Sequence, residues 1–188
     1  MSSGEFFVCD LRERGHTSVF SVGELVVYGG EGVCRVERIG PSTLSCADRN
    51  REYYTLRPIF HTGEVTTPVD TRVLMRPVMT MQEAEAFLAA LPQLDADAPG
   101  ELNQRTAREH YQAVVSSFDC CRMAALLKML YAKRDAARRS GKKVSQLDER
   151  YGKRAEDHLY EELAAALGIE KAAVCGRIRL CCPEWPEK

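Results

Sequence analysis

The chain of 188 residues contains no apolar run near the roughly 18 residues that a membrane span requires. Its first residues also lack the basic segment and apolar core of a secretory signal. A cytoplasmic location with no membrane partner is therefore expected. Eight cysteines are present (Cys9, Cys34, Cys46, Cys120, Cys121, Cys175, Cys181 and Cys182), but none forms a C-x-x-C pair. The doublets Cys120-Cys121 and Cys181-Cys182 have poor geometry for a shared zinc ion. Free thiols are the simpler reading and a metal or redox role is the alternative; no cofactor is expected.

Catalytic motifs are missing as well. His16, His61, His110 and His158 include no H-x-x-x-H pair, and no serine or cysteine sits in a nucleophile elbow. The glycines of Gly29-Gly30-Glu31-Gly32 precede a strand and lack the Lys-Ser/Thr of a phosphate-binding loop. Paired acids at Asp148-Glu149 and Glu161-Glu162 fall on helix positions that read as exposed, without the apolar surroundings that tune a catalytic carboxylate. No enzyme is expected.

Lysine is absent from residues 1 to 92, which carry 9 arginines against 12 acids, whereas residues 93 to 188 carry 17 basic residues against 15 acids. The overall charge of -1 hides a local concentration. Residues 103 to 143 hold Arg105, Arg108, Arg122, Lys128, Lys133, Arg134, Arg138, Arg139, Lys142 and Lys143 against only Glu109, Asp119 and Asp135. Such a segment is a candidate phosphate-contacting surface. A solvated helix face is the alternative.

What is present divides into two periodicities. Residues 25 to 28 and 33 to 39 are rich in β-branched and aromatic residues and flank three glycines, which predicts a β-hairpin. A short run at 43–47, a strand at 52–59 and another at 64–69 follow, so a small barrel of about five strands is expected. Pro68 cannot donate a ladder hydrogen bond, so the last strand is expected to end there or to lie at an edge, a place able to recruit a partner strand. Thr80 and Glu83 form a capping box that opens a helix through about residue 91. Residues 92 to 100 break the pattern and read as a linker.

Beyond the linker the period becomes 3.6. Tyr111, Val114, Val115 and Phe118 share one face, Met123, Leu126, Leu127, Leu130 and Tyr131 the next, and Leu147, Tyr151, Leu159, Leu163 and Leu167 a third. A helical bundle follows, with Ser145 capping its long third helix, Gly168 ending it and a short helix at 171–180. The expected division is a leader at 1–18, a β domain at 19–80, a helix and linker at 81–102, a helical domain at 103–180 and a frayed tail at 181–188. The fold class is α+β, multidomain.

Four patches in this order resemble the CarD-like bacterial transcription regulators, which share their N-terminal module with the transcription-repair coupling factor. They are Phe20-Ser21-Val22-Gly23-Glu24-Leu25-Val26-Val27-Tyr28 with Gly32-Val33, Tyr53-Tyr54-Thr55-Leu56-Arg57, Pro68-Val69-Asp70, and Arg76-Pro77-Val78. Glu162-Leu163-Ala164-Ala165-Ala166-Leu167-Gly168-Ile169 is similar to part of the family's helical domain, so the resemblance covers about residues 20 to 180.

The resemblance implies a Tudor/SH3-like five-stranded barrel that adds its edge to the lobe of the RNA polymerase β subunit. It also implies a helical domain on promoter DNA at the upstream edge of the bubble, largely sequence-nonspecific and modulating open-complex stability. Val65, Thr66 and Thr67 match the family's polymerase-contact strand; Thr66 and Ser42 stand where it often carries basic residues. Gln104 stands where the family has a wedging tryptophan, beside Arg105 and Arg108, and Arg150 and Arg154 fall at further basic positions. A monomer is expected. The alternative is a diverged polymerase-binding adaptor whose helices hold another protein, since glutamine cannot supply an apolar wedge. A third reading is a thiol sensor built on the cysteine doublets.

Overall fold

Five strands precede five helices in the computed structural model, which describes residues 20–42, 48, 50–99 and 103–186. The leader at 1–18 and the run at 43–47 lie outside the described residues. Strands β1 (Leu25–Tyr28), β2 (Gly32–Gly40), β3 (Tyr53–Pro58), β4 (Val65–Pro68) and β5 (Met75–Pro77) form one antiparallel sheet in the order β4-β3-β2-β1-β5. The β1–β2 reversal places Gly30 at φ +109 and Gly32 at φ +78, backbone that a side chain would strain.

The expected barrel does not close. β4 and β5 occupy opposite edges of the sheet and do not pair. β4 spans four residues ending in Pro68 and β5 three ending in Pro77, so both are short of donors for a closing ladder. The sheet nevertheless curls, with an irregularity in the β2–β3 register between Val36 and Arg38. The Tyr28 hydroxyl of β1 donates to Thr67 Oγ1 of β4 at 3.2 Å across the hollow, and Phe20, Val26, Tyr28, Cys34, Val36, Tyr54 and Leu56 fill it. The fifth strand was not expected as a strand at all. Its three residues are too few to show alternation.

Helices α1 (Met81–Ala90), α2 (Gln104–Ser116), α3 (Cys120–Arg139), α4 (Gln146–Leu167) and α5 (Lys171–Cys181) share a second core. The first four start on side-chain caps: the Thr80–Glu83 capping box, Asn103 on the amides of Arg105 and Thr106, Asp119 on Arg122, and Ser145 on Asp148. Gly168 at φ +65 ends α4 as expected. α4 is central, touching α1, α2, α3, α5 and β2. α1 buries Ala84, Phe87 and Leu88 in the helical core, and the segment after it is pinned by Lys128 Nζ, which donates to the carbonyls of Leu91 and Leu94 at 2.8 Å.

Three expectations need correction. The tail at 181–186 is not frayed: Cys182 and Trp185 are buried, and Trp185 Nε1 donates to the Tyr160 hydroxyl at 2.8 Å while its ring packs edge-on against Tyr131. A lone indole among prolines and acids has no periodicity to announce it, yet it carries enough apolar area to anchor a segment. Phe118 does not extend the α2 face. It lies beyond the end of α2 at φ +49 and packs with Val27 and Val33 of the sheet. Glu161 and Glu162 are not exposed but only 1% and 2% accessible. The side of α4 that should meet solvent meets the sheet instead.

A free strand edge and a basic helical end

Among the described residues β4 pairs with β3 on one side and has no strand on the other. The Val69 amide donates to the Glu52 carbonyl at 3.0 Å, which fixes the parity of this ladder. In an antiparallel pair the hydrogen-bonded positions alternate. Thr67 and Val65 therefore turn their backbone groups toward Tyr54 and Leu56, while Thr66 turns its N–H and C=O to the free edge. The side chains agree: Thr67 is buried against Tyr28, and Val65 packs on the sheet core. Of the expected contact residues, Val65 and Thr67 build the strand and Thr66 presents its edge. Ser42 is half-buried just beyond β2.

The sheet is joined to the helices by two buried glutamates of α4. Arg76 of β5 reaches Glu162 with both terminal nitrogens, at 2.5 and 2.7 Å, and also donates to the Phe118 carbonyl at 2.6 Å. Glu162 further accepts from the Met79 amide and the Cys120 thiol. Burial works against the Arg76 charge, but the hydrogen bond and charge of Glu162 outweigh it and raise the guanidinium pKa. Glu161 accepts from Lys171 Nζ at 2.7 Å and meets His61 Nε2 at 2.9 Å. His158 packs at a tilt against Phe118 with ring centres 4.6 Å apart, and burial lowers its pKa.

At Gly32 the sheet backbone comes close to this junction. A Cβ there would lie 2.7 Å from Glu161 Oε2, and the carboxylate is held by Lys171 and His61, so it cannot easily retreat. Gly32→Ala is expected to cost at least the roughly 1–2 kcal/mol of a left-handed non-glycine residue, read as a lower urea midpoint. An unchanged midpoint would show that the contact is dispensable.

The expected nucleic-acid residues lie on α2 and α4. Gln104, Arg105 and Arg108 are exposed on the first turns of α2, where Arg105 Nε pairs with Glu109 at 3.0 Å. Arg154 reaches Gln112 Oε1 of α2 at 3.3 Å and covers the Tyr151 ring, and Arg150 is exposed one turn earlier. The structure thus brings Arg154 against α2, the helix that carries Arg105 and Arg108. It removes other cations from the basic segment: Lys128 is spent on backbone carbonyls, and Lys133 Nζ donates to the Tyr111 hydroxyl at 3.0 Å.

α2 and α4 run in the same direction. Tyr111 meets Asp148 and Tyr151, Gln112 meets Tyr151 and Arg154, and Phe118 meets His158. The sheet junction at residues 158–162 is therefore about 18 to 24 Å along α4 from its start at residue 146. α4 is a strut with the sheet at one end and basic side chains at the other. Sequence reading passed over Arg76 and Glu162 as functional residues, although Arg76 lies within a motif that carried the family resemblance.

The buried thiols Cys34, Cys120 and Cys182 have little of the character of a sensor. Burial, then the charges of Glu31 and Glu161, pushes Cys34 up to about 12. Burial, then Glu162, puts Cys120 well above the ordinary thiol value, and burial with Glu184 pushes Cys182 up to about 11. Reactive thiolates need the opposite setting. Among the described residues no group of His, Cys, Asp and Glu is arranged to hold a metal ion, and no helix is long and apolar enough to cross a membrane.

Comparison with known families matches residues 20–79 to the CarD-like/TRCF RID domain. That span covers the whole sheet from Phe20 through Met79, and stops before α1. No curated protein matches the chain significantly.

Proposed function

Residues 20–79 form a CarD-like/TRCF RID domain, a family of RNA polymerase-interacting domains, and from that premise we propose that this chain is a transcription regulator that docks on RNA polymerase and contacts promoter DNA. The free edge of β4 adds to a strand of the β-subunit lobe. The helical domain lies on DNA near the upstream edge of the bubble and modulates the stability of the open complex. The observation that carries this reading is the unpaired β4 edge, with the backbone of Thr66 directed outward, on a domain of this family. Strand addition draws its affinity from backbone hydrogen bonds, so the absence of basic side chains at Ser42 and Thr66 weakens the contact without removing its basis.

Contact with DNA is supported by Arg105, Arg108, Arg150 and Arg154 on two adjoining helices. Gln104 is exposed and can hydrogen-bond at a fork, but it offers no apolar surface to unstack a base step. The same observation favours a second reading, an adaptor that uses its helices for another protein.

One experiment addresses both halves. The full chain is captured on RNA polymerase, and promoter complexes of wild type and the Arg105→Ala, Arg108→Ala variant are compared across salt concentration. Each lost phosphate contact should reduce the log–log slope by about 0.9. Failure of the wild type to bind polymerase removes the docking half. Retained docking with an unchanged slope favours the adaptor.

A further inference from the structure

Tyr111 marks a level at which three helices meet: its hydroxyl accepts from Lys133 of α3 and donates to Asp148 of α4. α3 and α4 run antiparallel, since Tyr131 meets Glu156 and Leu130 faces Gly152 while Arg138 lines the same groove as Asp148. From the Tyr111 level, the first residue of α2 lies about 10 Å back along its axis and the last of α3 about 9 Å forward along its own. α4 begins two residues before Asp148. The start of α2, the end of α3, the start of α4 and the turn between α3 and α4 therefore share one end of the helical domain, the end remote from the sheet.

That turn is strongly and openly basic. Arg138, Arg139, Lys142 and Lys143 are all exposed, none has an ion-pair partner among the described residues, and residues 136–147 contain no acid. The nearby acids are partly engaged: Glu109 pairs with Arg105, Asp135 lies 3.8 Å from Arg134, and Asp148 accepts from Tyr111, while Glu149 is exposed in the groove that Arg138 also lines. Cations that merely kept this surface soluble would be interspersed with acids. Here they concentrate at the end that also carries Arg105 and Arg108. Residues 138–144 include no aromatic side chain, so the turn offers charge without a platform on which bases could stack.

The geometry points to the α3–α4 turn as a second phosphate-binding surface, formed by Arg138, Arg139, Lys142 and Lys143, that grips the backbone of duplex DNA without reading its sequence. This rests on the DNA half of the proposed function and extends its contact surface from α2 and α4 to the turn. The partner is a duplex because its two closely spaced phosphate rows give a broad basic end more anions per unit length than a single strand. Sequence-blind binding follows from contacts that touch phosphates and not base edges.

The full chain is titrated onto fluorescent duplexes of about 30 bp in two unrelated sequences, and onto a single strand of equal length, between about 50 and 200 mM salt. Replacing all four residues by alanine should reduce the log–log slope by about 3 to 4 and weaken binding at the lowest salt by at least about tenfold. Because the four side chains are exposed, the thermal midpoint should not move. Arg138→Lys with Arg139→Lys, which keeps the charge, should retain the wild-type slope. If the alanine variant keeps the wild-type slope while Arg105→Ala, Arg108→Ala flattens it, the turn is not a contact and the proposal is overturned, but DNA binding stands. If the wild-type chain binds neither duplex, both fall. Equal affinity for the single strand overturns the duplex assignment.

Discussion

Thr66→Pro is expected to lower affinity for RNA polymerase by roughly 10- to 100-fold and leave the fold intact. The Thr66 amide points away from β3, so proline removes no bond from the β3–β4 ladder. Pro68, at the same parity two residues on, already shows that the strand tolerates the ring there. An incoming strand would lose its donor at Thr66 and meet a pyrrolidine ring. A buried acceptor left unpaired costs about 1–3 kcal/mol, and each 1.4 kcal/mol is about tenfold in affinity. The adjacent Thr67→Pro makes the contrast. Its amide faces Tyr54, so proline there removes a ladder bond and should cost about 1–3 kcal/mol of stability through the carbonyl left unpaired. Affinity for polymerase by surface capture and urea denaturation separate the two effects. Wild-type affinity in a folded Thr66→Pro variant would sink docking through this edge.

The second large effect is expected at the junction. Arg76→Ala should destabilise the protein by about 3–5 kcal/mol, the range for breaking a buried ion pair from one side. Glu162 is 2% accessible and Arg76 15%, so solvent cannot replace the lost partner. The Phe118 carbonyl would lose its donor as well. Replacing both members, Arg76→Met with Glu162→Leu, should recover much of the loss, because it removes the uncompensated charge along with its partner. Urea denaturation checks both. A cost below about 1 kcal/mol for Arg76→Ala would place the pair with ordinary surface ion pairs and leave the apolar packing around Phe118 and the Glu161 contacts to hold α4 on the sheet. Arg76→Ala should also reduce promoter-complex stability more than polymerase affinity, since β4 lies at the opposite edge of the sheet.

The hairpin, the edge character of β4, the capping box at Thr80, and the ends of α4 at Ser145 and Gly168 were legible in the chain because each depends on local physics. A β-branched alternation, a missing proline donor, a hydroxyl at a helix start and a left-handed glycine act within a few residues. The order of the motifs was equally legible and led to the family of residues 20–79. Of the candidate site, the sequence supplied the strand and the arginines but not their division of labour. Which of Val65, Thr66 and Thr67 faces outward follows from the register with β3, which is a property of the pair of strands. That Lys128 and Lys133 are spent internally, while the cations of the α3–α4 turn stay free, depends on how the segment after α1 and helix α2 pack on α3.

Only the tertiary structure decided the burial of Glu161, Glu162 and Trp185. A helical period predicts one apolar face and one wet face, and α4 departs from it because the sheet covers the side that would otherwise be wet. Two carboxylates on that side are bearable only because Arg76, Lys171 and His61 arrive from elements 86, 10 and 100 residues away along the chain. Such partners are separated too widely for any local pattern to register. The sequence by itself determined the elements and the family of the sheet domain; the packing of α4 against that sheet determined how far and how firmly the basic end is held from the free β4 edge.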